Sequence, residues 1–374
     1  MAELTIKTRN IIGNIKKLDS YLSTYDLKWT LILKILSGNQ KALERILEPP
    51  SVDTIHSVGD SRLSSLKKVK QINPDLMTMY IKPPAISYVD TVIEYADISL
   101  NTSFTTIKAL NRAAKRQDKL HKVIIMIELG ELREGVMREN LIEFYDKVFS
   151  LSNIEVIGIG TNLGCMYGIM PTYDKLIQLS LYHQLLETKF NRDIVLNSGG
   201  SSITLPLIPM KKLPKAVNHL RLGEAVFMGT TPMDGKVFRN LSLETFDFSA
   251  NIIELEQKES LPDGVMSEGN VGHTSEDEEE QLSPTEYEPK PIPKSYRAIL
   301  DFGILDVDMD TVKPSDETVD YIGTTSDMTV VDLGENVAED GKPRYKIGDK
   351  IHFNLDYMAV ARLMNSKFID KVVE

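Results

Sequence analysis

The feature that most constrains this chain is a rhythm. Over the first roughly 230 residues, eight short aliphatic runs alternate with amphipathic stretches, a span that suits a closed eight-fold barrel. The runs are Thr30–Leu36, Thr54–Gly59, Leu76–Ile81, Ile98–Asn101, Val123–Leu129, Val156–Thr161, Ile194–Asn197 and Leu220–Met228. They are continuously apolar rather than alternating, as expected of strands covered by helices on the outside. A leading helix from Asn10 aligns Ile11, Ile12, Ile15, Leu18 and Leu22 on one face. Asn39 is placed to cap the next helix, with Leu43, Ile46 and Leu47 facing inward, and Asp60, Thr102 and Thr172 are placed to open others. The tally predicts an α/β fold, a (β/α)8 TIM-type barrel, and no G-x-G-x-x-G follows the first strand to favour an open dinucleotide-binding sheet.

After about Gly235 the texture changes. "FDFSANIIELEQ", "SYRAILDFGILDVDM", "DYIGTTSDMTVVDL" and "DKIHFNLDYMAVARL" read mainly as strands between Gly, Asp and Pro turns. The expected organisation is therefore a barrel over residues 1–234 and a C-terminal β-rich domain over 235–374. Within the second lies an acidic and proline-rich stretch near 275–294, with Glu276 to Glu280 unbroken, which reads as a solvated loop.

Composition narrows the function. The net charge of −11 argues against a nucleic-acid footprint. Cys165 is the sole cysteine, so neither a disulfide framework nor a multi-cysteine metal site is available. No secretory leader and no membrane-spanning run is evident, so a cytoplasmic protein is expected.

In such a barrel, functional residues gather where strands end. The first run carries Lys34 among Leu31, Ile32, Leu33, Ile35 and Leu36, an unusual setting for an amine. It reads either as a strand-end lysine reaching water or as a reactive amine. The fifth run ends with Glu128, Glu131, Arg133 and Glu134, and the sixth with Asn162 and Cys165. The seventh ends in "SGGSS", Ser198 to Ser202, a turn able to present N–H groups and hydroxyls to an anion. The eighth holds Arg221, read either as half of a buried ion pair with Glu224 or as a site cation. Together, a lysine, a phosphate-type turn and an arginine at one barrel mouth are what pyridoxal phosphate requires for its aldehyde, phosphate and ring nitrogen.

The segments "ADISLN", "LGELREG", "GIGTNLGC", "SGGSS", "LRLGEAVFMG", "GTTSDM" and "GDKIHFNLDYMAVARLM" occur in an order that covers nearly the whole chain. In them the chain resembles the alanine-racemase family of pyridoxal-phosphate enzymes, most closely the amino-acid racemase branch that includes ornithine racemase. The resemblance implies an amino-acid racemase interconverting L- and D-forms by Cα proton exchange, with ornithine, lysine or alanine as candidate substrates; Glu128 and Glu131 are placed to receive the distal ammonium of a basic one, or to pair with an arginine such as Arg133. It implies that Lys34 holds the cofactor covalently and acts as one base. Gly200, Ser201 and Ser202 match the phosphate turn, Arg221 the partner of the ring nitrogen, and Gly223 a backbone group near the phosphate. Asn162 falls beside the ring, and Arg133 near the cofactor phenolate and substrate carboxylate. In the second domain, Tyr357 matches a tyrosine reaching the cofactor phosphate of the other subunit and Asp327 a residue of the substrate entry, which implies a homodimer.

The family takes its second base from a tyrosine early in the β-domain. The corresponding stretch here, "DGVMSEGNVGHTSE", has none, which leaves Asp263, Glu268, His273 and, in the barrel, Cys165. A cofactor-binding protein of the same fold type without turnover is the alternative reading.

Overall fold

The computed structural model describes residues 1–264, 272–274 and 294–374, in two compact units. The acidic run Glu276 to Glu280, most of the proline-rich stretch and Glu268 lie outside the described residues. One unit is Thr8–Thr245; the other combines Met1–Lys7 with Phe246–Glu374.

The division falls at 245/246 rather than 234/235, and the first strand leaves its neighbours in sequence for the second unit. Strand β1 (Glu3–Ile6) lies antiparallel to β10 (Phe246–Glu259), with Leu4 opposite Phe248, and parallel to β17 (Asp370–Val373).

The larger unit is a closed parallel barrel of eight strands: β2 (Lys28–Ile32), β3 (Ser57–Asp60), β4 (Thr78–Tyr80), β5 (Ile98–Asn101), β6 (His121–Met126), β7 (Ile154–Gly160), β8 (Leu196–Ser198) and β9 (His219–Leu222). Helix α1 (Thr8–Ser23) leads, burying Ile11, Ile15, Leu18 and Leu22. Helices α2 (Gln40–Ile46), α3 (Leu63–Ile72), α4 (Val89–Tyr95), α5 (Phe104–Arg116), α6 (Leu141–Phe149) and α7 (Tyr173–Phe190) fill the crossovers up to β8. The β8–β9 crossover is a 3-10 turn, Ser202–Leu207, rather than a full helix.

Five of the eight strands end earlier than their apolar runs, while β3 and β8 run one residue past theirs. β2 stops at Ile32 instead of Leu36, and the eighth run breaks at Gly223 into helix α8 (Glu224–Met228). Apolarity continues past each break because the following turn or helix is also buried, and periodicity does not separate the two.

Caps follow the expected chemistry with small shifts. Asn39 Oδ1 accepts from Ala42 N at 3.0 Å and Thr172 Oγ1 from Lys175 N at 3.3 Å. The cap of α5 is Ser103 rather than Thr102, and α3 opens after Arg62, two residues past Asp60.

The barrel interior is divided. Met79, Ile98, Leu100, Ile124, Met126 and Leu196 form an apolar cluster on one side. On the other, Thr30, Ser57, Ser198, His219 and Arg221 are buried and hydrogen-bonded to one another. This polar half spans β8, β9, β2 and β3.

The second unit is a nine-stranded sheet, mainly antiparallel. It contains β11 (His273–Thr274), β12 (Lys294–Leu300), β13 (Val312–Pro314), β14 (Asp320–Thr324), β15 (Thr329–Asp332) and β16 (Lys350–Leu355) besides β1, β10 and β17. "DYMAVARL", read as strand, is instead helix α9 (Tyr357–Asn365). Asp356 Oδ1 caps it by accepting from Ala359 N at 2.7 Å, and Ala359, Val360, Leu363 and Met364 are buried at helical spacing. No described helix is long and apolar enough to cross a membrane.

Candidate active site

Strand register brings three of the sequence's candidates side by side. β8, β9 and β2 are consecutive in the barrel, with Ser198 opposite His219, Thr30 opposite Arg221 and Leu31 opposite Leu222. Their C-terminal ends carry Gly200–Ser202, Arg221–Gly223 and Lys34 respectively.

Lys34 is not inside the strand. It begins the 3-10 turn Lys34–Leu36, exposed, while Ile35 and Leu36 are buried beside it. The turn closes through Ser37 (φ 49°) and Gly38 (φ 68°), both left-handed. Lys68 Nζ from α3 donates to Gly38 O at 2.6 Å, and a Cβ on Gly38 would come 2.9 Å from Ser65 Oγ. Helix α3 thus holds from behind the turn that carries Lys34 at the C-terminal end of β2.

Arg221 is 6% exposed. Its Nη1 donates to Ser198 Oγ at 2.5 Å and its Nη2 to Thr161 O at 2.7 Å, while its backbone N donates to Gly200 O at 2.9 Å. Among the described residues its guanidinium is therefore held by neutral oxygens, not by the Glu224 ion pair that the sequence left open. Burial lowers its pKa to about 10, so it stays cationic at neutral pH.

Behind Ser198 the chain of bonds continues. Ser198 Oγ meets His219 Nδ1 at 2.9 Å, His219 Nε2 meets Thr30 Oγ1 at 2.9 Å, and Thr30 Oγ1 meets Ser57 Oγ at 2.7 Å. Burial, then the neighbouring His56 and Arg221 charges, push the His219 pKa far below the usual imidazole range. His219 is a neutral strut under Arg221. Sequence reading overlooked it, although its i, i+2 spacing to Arg221 put both side chains on one strand face.

Gly200 is buried at φ +115°, and a Cβ there would approach Thr204 Oγ1 at 2.8 Å. Only glycine suits that turn. Ser202 Oγ accepts from Ala225 N at 3.2 Å, tying the turn to α8, and Ser201 is half-buried. Gly223 lies against Ile32, the last residue of β2.

Next along the arc, the β6 and β7 loops interlock. Arg133 pairs with Glu134 and donates through Nη1 to Cys165 Sγ. With its amide oxygen turned toward this arginine, Asn162 Oδ1 accepts from Nη1 at 3.0 Å. The Glu134 carboxylate raises the Arg133 pKa further. The structure thus groups Arg133, Asn162 and Cys165.

Glu128 and Glu131, considered from sequence as receivers of a distal ammonium, are buried and committed elsewhere. Glu128 Oε1 accepts from Gly130 N, and both oxygens of Glu131 accept backbone amides.

The remaining candidates belong to the second unit. Tyr357 is the first residue of α9 and half-buried; Asp327 is exposed in the β14–β15 turn, and His273 is exposed in β11 opposite Thr324. Asp263 is exposed after β10. Among the described residues no group of three or more His, Cys, Asp or Glu side chains converges as a metal site would need.

Comparison with known proteins agrees with this architecture. The chain is 34% identical to the ornithine racemase of Acetoanaerobium sticklandii over 370 residues, covering 99% of this chain and 98% of that one. It is 27% identical to the lysine racemase of Thermotoga maritima, over 99% and 98% of the two chains. In three dimensions it is similar to the alanine racemase of Corynebacterium glutamicum, with a TM-score of 0.71 at 16% identity, over 100% and 99% of the chains. It is likewise similar to the alanine racemase of Bartonella henselae with covalently bound pyridoxal phosphate, with a TM-score of 0.69 at 15% identity, over 100% and 99%. The family model of the alanine racemase N-terminal domain matches residues 8–231, almost the whole barrel unit, and the chain belongs to that family.

Proposed function

We infer that this protein is an amino-acid racemase that uses pyridoxal 5'-phosphate to interconvert the L- and D-forms of a free basic amino acid, such as ornithine or lysine. The observation that carries the reading is the arc of Lys34, Arg221 and Gly200–Ser202 on three consecutive strand ends, in a chain 34% identical to an ornithine racemase along its length.

The residues fit the cofactor. An exposed primary amine, a turn that a Cβ at Gly200 would fill, and a rigid buried cation are the donor set its aldehyde, phosphate and ring nitrogen call for. Lys34 would hold it, with Gly200, Ser201, Ser202 and Gly223 at the phosphate and Arg221 at the ring nitrogen. When bound, the group supplies a conjugated ring that withdraws negative charge developing at the substrate Cα.

The chain's own groups do the rest. Arg221 remains charged and fixed, so it presents a donor rather than a proton to a ring nitrogen. Arg133 binds and orients the substrate carboxylate, and Asn162, which accepts from that arginine, would flank the cofactor ring. Lys34 Nζ moves the proton on one face of Cα, and a second group moves it on the other. Of the candidates for that group, Cys165 lies beside Arg133 in the barrel unit, His273 in β11 and Asp263 after β10 belong to the second unit, and Glu268 lies outside the described residues. Tyr357 and Asp327 are proposed to complete the site of a partner subunit in a homodimer.

Absorbance of the purified protein before and after Lys34→Ala tests the cofactor. A cofactor band near the visible is expected in the wild type and lost in the variant; its persistence would overturn the assignment of Lys34. Deuterium incorporation at Cα across a panel of L- and D-amino acids tests the reaction. Exchange is expected with basic amino acids, and exchange with none would favour a binding protein over an enzyme.

A further inference from the structure

Sequence reading treated Glu131 as a possible contact for substrate. Its surroundings give it another role. Glu131 is 1% exposed, and its Oε1 accepts from Cys165 N at 2.9 Å and from Tyr167 N at 2.8 Å. Its Oε2 accepts from Gly164 N at 3.0 Å and from Ile169 N at 3.1 Å. All four donors belong to one loop, the segment after β7. A buried carboxylate needs compensation, and here four convergent backbone amides provide it in place of a cation. Burial alone would raise its pKa, but these amides outweigh it and hold the carboxyl below its usual range.

The residue is itself held firmly. Gly130 (φ +115°) and Leu132 (φ 51°) flank it in backbone conformations that a leucine seldom adopts. Gly130 N donates to Glu128 and Lys175 Nζ donates to Leu129 O at 2.7 Å. A Cβ on Gly135 would lie 2.3 Å from Glu128 N, so the β6 loop is closed tightly at its base.

The loop it grips has little else to fix its backbone. Met166 and Tyr167 are exposed, and Gly164 and Gly168 sit at φ +66° and +69°. Yet that loop carries Cys165 onto Arg133, and a Cβ on Gly164 would lie 2.2 Å from Ile203 Cδ1, in the turn that follows Ser201. The loop therefore touches both the arginine cluster and the flank of the "SGGSS" turn.

We propose that Glu131 is a positioning residue of the active site: its carboxylate pins the Gly164–Ile169 loop by four amides and so holds Cys165 against Arg133, setting that arginine for the substrate carboxylate. This rests on the racemase reading, and the test separates the two.

Glu131→Gln keeps the shape but turns an NH2 group toward amide donors. Racemisation by the cofactor-loaded enzyme is measured with L-ornithine and L-lysine, and amide hydrogen exchange is followed in the cofactor-free wild type and variant. In the wild type, amides 164, 165, 167 and 169 are expected to exchange slowly; in Glu131→Gln that protection goes while the barrel strands keep theirs. KM is expected to rise about tenfold with kcat changing less than about threefold, because a lost ground-state contact raises KM. A general folding lesion would lower the active fraction instead, reducing apparent kcat at constant KM. Glu131→Asp, which keeps the charge, is expected to fall between, and it supplies the KM reading if Glu131→Gln does not fold. Unprotected loop amides in the wild type, or a KM within twofold of wild type in the variants, overturns the proposal. Absence of racemisation in the wild type, with the loop protected, refutes the enzyme reading and with it the positioning role, while leaving the loop clasp itself established.

Discussion

Asp60 ends β3 at 1% exposure, and its Oδ1 accepts from Arg62 N at 2.8 Å. Burial raises its pKa from 3.8 to about 6, against the opposing pull of the Arg62 amide and charge. A carboxyl whose folded pKa lies above its unfolded one costs the folded state stability once the unfolded chain ionises. That penalty is absent well below pH 4, grows as the pH rises through the interval, and is complete above about pH 6. The separation of 3.8 from about 6 corresponds to about 3 kcal/mol, of which about 2 kcal/mol falls between pH 4.5 and 7.5. Asp60→Asn removes the titration but carries its own fixed hydrogen-bond cost. The informative quantity is therefore the change with pH in the stability of the variant minus that of the wild type. Urea unfolding at several pH values is expected to show this difference moving by about 2 kcal/mol in favour of the variant between pH 4.5 and 7.5. Parallel curves, or a wild type that gains on the variant as the pH rises, would refute the reasoning.

Ser198→Ala removes the hydroxyl shared by Arg221 and His219, leaving the buried Arg221 Nη1 donor and His219 Nδ1 short of a partner. A loss of about 2–4 kcal/mol in unfolding free energy is expected by denaturant titration of the cofactor-free protein. Gly135→Ala drives a Cβ into the Glu128 backbone at 2.3 Å, and calorimetry is expected to show a loss above about 2 kcal/mol, the scale of overpacking against atoms that cannot swing aside. Cys165→Ala and His273→Ala discriminate the second proton-handling group: the variant lacking it should lose Cα exchange from one enantiomer far more than from the other, measured by deuterium incorporation. Sedimentation of the wild type is expected to give a dimer, and mixing inactive Lys34→Ala with inactive Tyr357→Phe chains should restore part of the activity if the site draws on both subunits.

Much of the barrel was legible because its signals are local. Continuous apolar runs mark strands covered by helices, and Asn39 and Thr172 cap where their side chains predict. Lys34 and Arg221 stood out because a cation in an apolar run demands an explanation. The failures share one cause: the deciding contact was distant in sequence. Nothing in "ELTI" says that Glu3–Ile6 pairs with Phe246–Ser249 rather than joining the barrel beside it. Hydrophobicity kept Gly223 to Met228 in the strand because α8 is buried too, with Ala225, Val226 and Phe227 unexposed. Glu131 read as a receiver for a substrate ammonium since its partners, thirty-odd residues onward, are backbone amides, which leave no trace in residue type.

These two sorts of contact divide the site into parts of different kind. Arg221 is set by the register of β8, β9 and β2, and Gly200–Ser202 and Lys34 sit in short turns just past the ends of β8 and β2, so this part is tied closely to the barrel strands. Arg133, Asn162 and Cys165 hang on loops joined through one carboxylate and one guanidinium. A change of loop sequence can reshape the second part without disturbing the first. The proposed division of labour follows: the strand-borne arc serves the part of the reaction common to amino acids, and the loop-borne cluster, pinned by Glu131, is where this chain distinguishes one substrate from another. Variation confined to the Gly164–Ile169 loop should therefore alter KM among amino acids while cofactor affinity, read from the absorbance band, stays where the strands set it.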